Sequence, residues 1–219
     1  MTQVKICSVQ EAEHILAAAE AGANFVGLNF VPGVRRRLPE DKAREMVRTY
    51  RDRYGSNGPK LVGIFVDQPL DEVDRILQEC DLDMAQLSGH ESLEYAKQVS
   101  RPVIKVVHVP AERPDEEVVA GLRPLLADLE SAGILPLLHP DVGPALGGTS
   151  AAFDWEIARA LAADQRFLVA GGLDPENVAQ AVRQVQPWGV DVSSGVETAG
   201  IKDVEKIEAF VQGAKAAKE

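Results

Sequence analysis

The chain is poor in the features that mark most specialised classes. Two cysteines in 219 residues do not make a disulfide framework. Val4-Lys5-Ile6-Cys7 is reached without a basic segment and an apolar stretch before it. No secretory signal is therefore read, and the cytoplasm is the expected compartment. No apolar run is long enough to span a bilayer, so no membrane partner is expected. Positive charge is scarce: 23 lysines and arginines stand against 34 aspartates and glutamates, a formal net charge of -11. Phosphate backbones demand a basic face, which excludes general nucleic-acid binding. For the same reason an anionic small ligand must be held by local donors rather than by the overall field. There is no linker-like stretch, no low-complexity tract and no repeat beyond an alternation of apolar runs with amphipathic segments. The Gly-x-Gly-x-x-Gly turn of an open doubly wound sheet is missing after the first apolar run.

Hydrophobic residues make up 45% of the chain, enough for a well-buried core and too many for disorder. Strand candidates are Val4–Cys7, Phe25–Phe30, Leu61–Val66, Met84–Leu87, Val103–Val107, Ile134–Leu138, Phe167–Ala170 and Gly189–Val192. Helical patterns lie between and after them: Gln10–Ala21, Pro39–Tyr54, Leu70–Glu79, Ser92–Val99, Glu116–Glu130, Asp154–Ala163, Pro175–Gln184 and Val204–Ala217. Eight βα units in this length predict an α/β fold, a single (β/α)8 TIM barrel covering residues 1–219.

In such a barrel chemistry gathers on the loops that follow the strands. The seventh strand candidate ends in Gly171-Gly172 and the eighth in Ser193-Ser194-Gly195. Two adjacent turns of small residues give a phosphate site made of backbone N–H groups, after strands seven and eight. Lys5 and Cys7 share a face, because strand side chains alternate. Arg35-Arg36-Arg37 follows the second strand, and His139-Pro140-Asp141 follows the sixth.

Quoted in order, these pieces resemble one family. They are Val-Lys-Ile-Cys at 4–7, Glu-Ala-Gly-Ala at 20–23, Phe-Val-Pro with Arg36, Gln-Leu-x-Gly at 86–89 and Gly-Gly-Thr at 147–149. Phe-Asp-Trp at 153–155, Ala-Gly-Gly-Leu-x-Pro-Glu-Asn-Val at 170–178 and Gly-Val-Asp-Val-Ser-Ser-Gly-Val-Glu at 189–197 complete the set. The chain resembles the phosphoribosylanthranilate isomerases of tryptophan biosynthesis. The resemblance implies a (β/α)8 barrel that carries out an Amadori rearrangement of a small phosphorylated substrate, with no cofactor and no metal. A general acid opens the furanose ring to a Schiff base, and a base removes the proton from sugar C2. The enolamine so formed tautomerises to the ketone.

The resemblance assigns Cys7 as the base, against the plain alternative of a buried structural cysteine. Cys80 is read as structural. Arg36 is assigned to the anthranilate carboxylate, which suits its fork geometry, while Arg35 and Arg37 are read as solvated. Asp191 faces the barrel mouth and is expected to meet sugar hydroxyls. Gly171, Gly172, Ser193, Ser194 and Gly195 are expected to hold the phosphate. Trp188, Phe153 and Trp155 are read as packing. The acid is where the chain departs from the family, whose aspartate follows Leu-Leu directly. Here Leu137-Leu138 runs into His139, with Asp141 two positions on. Pro140 keeps this tripeptide extended, so His139 and Asp141 point to one side. Asp141 is the preferred acid because it keeps the carboxyl chemistry; His139 is the alternative. Ser8, Ser88 and Ser150-Ala151 depart from the family's glycine, histidine and Gly-Lys. Another phosphosugar enzyme on the same barrel, such as an indole-glycerol-phosphate synthase, is one rival reading. A non-catalytic phosphosugar-binding barrel is the other. Monomer and homodimer are both compatible with the sequence.

Overall fold

A computed structural model describes residues 1–110, 115–141 and 155–217 of the chain. Eight parallel strands close on one another in sequence order. They are β1 (Gln3–Ile6), β2 (Phe25–Asn29), β3 (Lys60–Phe65), β4 (Met84–Leu87), β5 (Val103–Val109), β6 (Leu135–Pro140), β7 (Leu168–Val169) and β8 (Gly189–Val192). Closure is made where β1 pairs with β8, Lys5 standing opposite Asp191. The helices are α1 (Ala12–Ala21), α2 (Glu40–Tyr54), α3 (Leu70–Glu79), α4 (Leu93–Ala96), α5 (Asp115–Ser131), α6 (Trp155–Ala162), α7 (Val178–Val185) and α8 (Val204–Ala216). The predicted (β/α)8 barrel is the observed fold.

Strand alternation sorts side chains into two cores. Outward residues such as Val26, Leu61, Leu138, Val190 and Val192 pack under the helices. Inward residues Phe25, Val62, Ile104, Val106, Leu137 and Leu168 fill the barrel. This packed interior is the floor on which the C-terminal end of the barrel is built. On β6 the inward series passes through Leu137, so His139, two residues on, also turns inward.

Several boundaries differ from expectation. The fourth helix is cut to Leu93–Ala96, started by Ser92, whose hydroxyl accepts the Tyr95 amide at 3.1 Å. The seventh begins at Val178 rather than Pro175. Asp174 there closes a turn instead of capping a helix: its carboxylate accepts the amides of Glu176 at 2.8 Å and Asn177 at 2.9 Å. Strand β6 continues through His139 and Pro140, which places His139 inside a strand rather than in the loop after it. A hairpin unforeseen in the sequence, β9 (Glu197–Thr198) and β10 (Ile201–Lys202), follows β8. Its two linking residues, Ala199 and Gly200, both have positive φ, 51° and 83°, as a tight two-residue turn requires. Gly147-Gly148-Thr149, Ser150-Ala151 and Phe153-Asp154 lie outside the described residues.

Candidate active site

At the C-terminal end of the barrel the turns after β7 and β8 come together. Gly171 and Gly172 have φ of 104° and 65°, a backbone that L side chains rarely adopt. The side-chain amide of Asn177 donates to the Gly172 carbonyl at 2.8 Å and holds the turn. Gly195 is required by proximity: a Cβ there would lie 1.9 Å from the Leu173 carbonyl oxygen. This glycine therefore lets the β8 turn touch the β7 turn. Ser194–Val196 forms one 3-10 turn, whose first amides have no partner within the turn itself. The cleft between the two turns is lined by Gly171, Gly172, Ser193, Ser194, Asp191 and His139. Six of the residues singled out in the sequence thus share one wall.

Lys5 and Asp191 form the centre of the floor. The Lys5 ammonium is fully buried and lies 2.8 Å from the Asp191 carboxylate. Gly27 on β2 makes room for it, since a Cβ there would stand 3.3 Å from Lys5 Nζ. Burial opposes the Lys5 charge, yet its pKa is raised, because Asp191 and then Cys7 favour the ammonium. Asp191 is buried and paired, as a carboxylate in such a place must be.

Cys7 follows β1, its amide bonded to the Val192 carbonyl at 2.8 Å. Its side chain packs with Val31 and Ile64 and is 7% exposed. Ser8, standing where glycine was expected, has φ 57°, the left-handed region that glycine occupies without cost. Its hydroxyl lies 3.6 Å from the Cys7 sulfur. Cys80, by contrast, is buried behind α2 with its sulfur 3.8 Å from the Glu40 carbonyl. Burial pushes its thiol up to about 11, in keeping with a structural role.

Arg36 is half-buried, and its Nε and Nη2 donate to the two oxygens of Glu197 at 2.7 and 3.0 Å. Glu197 also accepts from Arg35 at 2.9 Å and from Lys202 at 2.9 Å. Burial would raise the Glu197 pKa, but hydrogen bonds from Arg36, Lys202 and Arg35 outweigh it and hold the carboxyl at about 2. Arg35 is therefore more than a solvated loop residue, although it is exposed, while Arg37 is exposed as expected. The ammonium of Lys202 is buried and reaches the Ser193 carbonyl at 2.7 Å. Burial pushes its pKa down, against the raising effects of Glu197 and Cys7. Here the acidic protein gathers its local cations.

The end of β6 carries the two candidate acids. The His139 ring is half-buried, and its Nδ1 lies 2.7 Å from the Pro140 carbonyl. A carbonyl can only accept, so Nδ1 holds a proton and Nε2 is left for exchange. Burial lowers the His139 pKa; the Pro140 carbonyl and Asp191 work the other way, and His108 adds to the lowering. His108 is the β5 neighbour of His139 in register, with ring centroids 6.2 Å apart. Asp141 is exposed beyond the strand end, tied by its amide to the Val109 carbonyl at 2.9 Å.

Glu197, Lys202 and His108 were not picked out from the sequence. Glu197 closes the quoted 189–197 motif and was readable as part of it; the other two carry no spacing signal. A larger cavity of about 530 Å³ opens at the opposite, N-terminal end, where Arg166 stacks over Trp188 at 4.0 Å. It lies across the barrel from Cys7 and the glycine turns, and chemistry on this fold belongs to the other face. Among the described residues, no helix is long and apolar enough to cross a membrane and no cluster of metal-ligating side chains occurs.

Comparison with known proteins agrees with the fold. The family model described as N-(5'-phosphoribosyl)anthranilate (PRA) isomerase matches residues 4–213. The N-(5'-phosphoribosyl)anthranilate isomerase of Dehalococcoides mccartyi is 40% identical over 215 residues, 98% of this chain and 96% of that one. The crystal structure of phosphoribosyl anthranilate isomerase from Thermotoga maritima has a TM-score of 0.82 and 30% identity, covering 99% of this chain and 100% of that one. A further solved isomerase, in complex with reduced 1-(o-carboxyphenylamino)-1-deoxyribulose 5-phosphate, has a TM-score of 0.78 and 29% identity, covering 99% of this chain and 100% of its own. The chain belongs to the N-(5'-phosphoribosyl)anthranilate isomerase family, enzymes that isomerise a phosphoribosyl sugar in tryptophan biosynthesis.

Proposed function

We propose that the cleft at the C-terminal end of the barrel converts N-(5'-phosphoribosyl)anthranilate to 1-(2-carboxyphenylamino)-1-deoxyribulose 5-phosphate with Cys7 as base and His139 as acid. The phosphate sits on the turns at Gly171-Gly172 and Ser193-Ser194-Gly195, held by their backbone amides and serine hydroxyls. Arg36 takes the anthranilate carboxylate through the edge of its fork that Glu197 leaves open. Asp191, fixed by Lys5, accepts from a sugar hydroxyl.

The proton transfers follow from that placement. His139 gives its Nε2 proton to the furanose oxygen as the C1–O bond breaks, and the anilino nitrogen lone pair forms the Schiff base. Cys7 then removes the C2 proton, helped by the positive charge of Lys5 and Lys202 nearby. The C2–H electrons move into a C1–C2 double bond and neutralise the iminium. The enolamine takes up a proton at C1 while its C2 hydroxyl gives one up to solvent, and becomes the ketone. The reaction needs two groups of different protonation state on opposite sides of the sugar.

The observation that carries the reading is the shared cleft wall of His139, Asp191 and both glycine turns, with Cys7 adjoining Val192 on the neighbouring strand. The same observation favours His139 over Asp141, which is exposed beyond the strand. Asp141 keeps the carboxyl chemistry expected of the family and is the second reading. Residues 1–219 act as one barrel domain, in the cytoplasm, as monomer or homodimer. Mutually generated monomers of a dimeric isomerase are among the similar solved structures, so sedimentation of the pure protein decides between the two states. Turnover of freshly prepared phosphoribosylanthranilate tests the function. Activity competed by inorganic phosphate is expected, and conversion no faster than without enzyme would refute it.

A further inference from the structure

Among the described residues, Arg36 is gripped from one side only. Its Nε and Nη2 both point to Glu197, at 2.7 and 3.0 Å. A guanidinium has five N–H donors in one plane, so this leaves the Nη1 edge facing away from the carboxylate. Glu197 is 7% exposed and Arg36 13% exposed, which makes the contact far drier than a surface ion pair. The same carboxylate accepts from Lys202, which is 3% exposed and also donates to the Ser193 carbonyl at 2.7 Å. One chain of charge-assisted bonds thus runs from Arg36 through Glu197 and Lys202 to the β8 turn.

We propose that Glu197 is a positioning residue that fixes the plane of Arg36 for the aromatic carboxylate and ties that arginine to the phosphate turn. The proposal rests on the reading in which Arg36 binds the anthranilate end. A loop arginine without the clamp would sample many rotamers and lose that freedom on binding. With the clamp, the fork is oriented before the substrate arrives. The two anionic ends of the substrate then meet donors whose separation is set by the network rather than by the loops alone. Glu197 also offsets part of the Arg36 charge, so removing it has opposing effects. The loose arginine would attract an anion more strongly but meet it in the wrong orientation. Bidentate recognition depends on geometry, so loss of orientation should dominate.

The experiment is a double-mutant cycle on Arg36→Ala and Glu197→Gln, reading KM and kcat for phosphoribosylanthranilate and inhibition by anthranilate and by inorganic phosphate. Glu197→Gln should raise KM about tenfold and weaken anthranilate inhibition in parallel, with kcat within about twofold, the signature of lost ground-state binding. In the Arg36→Ala background the same substitution should add almost nothing. Equal losses in both backgrounds, a lowered or unchanged KM, or a fall in kcat alone would overturn the proposal. Inorganic phosphate inhibition shows that the site is still folded; should Glu197→Gln abolish it, Glu197→Asp, which keeps the charge at shorter reach, takes its place in the cycle. An Arg36→Ala enzyme with unchanged KM would refute the reading of Arg36 itself, and the proposal with it.

Discussion

Replacing His139 by asparagine removes the proton carried at Nε2 while leaving a polar side chain of similar reach at the same inward position of β6. The Nδ1–H that meets the Pro140 carbonyl at 2.7 Å can be imitated by the amide, so the backbone at the strand end should hold. A positioned general acid contributes roughly 10²–10⁴-fold, and a loss of that size in kcat is expected. The pH dependence is more telling than the loss. Burial, the largest cause, lowers the His139 pKa from 6.5, aided by His108 and opposed by the Pro140 carbonyl and Asp191. An acid must be protonated to act, so kcat/KM of the wild-type enzyme should fall as pH rises through a value below 6.5. The bound substrate brings a phosphate and a carboxylate, which favour the imidazolium, so the limb in kcat should lie higher. The assay is single-turnover ring opening across pH with wild-type, His139→Asn and Asp141→Asn enzymes. Asp141→Asn is expected to keep activity within a few-fold. A dead Asp141→Asn beside an active His139→Asn would refute the assignment and move the acid to the carboxylate.

Asp191→Asn leaves the fully buried Lys5 ammonium without its counter-charge, and breaking one half of a buried pair costs about 3–5 kcal/mol. Denaturant unfolding should register that loss, and a smaller effect would mean that water reaches Lys5. Ser8→Gly relieves a left-handed backbone held by a non-glycine residue and should stabilise by roughly 1 kcal/mol; a lower melting temperature would show that the serine hydroxyl contributes more than the strain costs. The Glu197 carboxyl, held at about 2 against its usual 4.5, contributes stability that is fully present above pH 4.5 and is lost as pH falls through about 2. The stability gap between wild type and Glu197→Gln should close over that window in acid titrations, and a gap that persists undiminished down to pH 2 would contradict the pairing.

The barrel was legible because each strand alternates or is continuously apolar and each helix has its own period, so local pattern and global fold agree. Boundaries failed where a side chain served two structures. Asp174 followed by Pro175 has the pattern of a helix start, but the carboxylate closes a turn and the helix waits for Val178. The sixth strand was expected to end at Leu138, yet β6 runs on through His139 and Pro140, because the following amide, that of Asp141, completes the pairing with Val109. Of the site, Asp191 was readable from the alternation of Gly189–Val192, which turns it inward and both valines outward. The Lys5 pairing that holds it was not, since it depends on the barrel closing β1 onto β8 across almost the whole chain. Glu197 and Lys202 belong to a hairpin of two-residue strands, too short to leave a period in the sequence.

Removal of the proton from sugar C2 by the Cys7 sulfur is the step on which the proposed function turns. It is tested most directly by turnover of phosphoribosylanthranilate carrying deuterium at that carbon, compared between wild type and Cys7→Ser. A serine hydroxyl hardly ionises at neutral pH, so a loss of about 10²-fold or more is expected. A primary isotope effect larger than in wild type is also expected, because weakening the base makes C–H cleavage limit the rate. A Cys7→Ser enzyme with wild-type turnover and an unchanged isotope effect would contradict it.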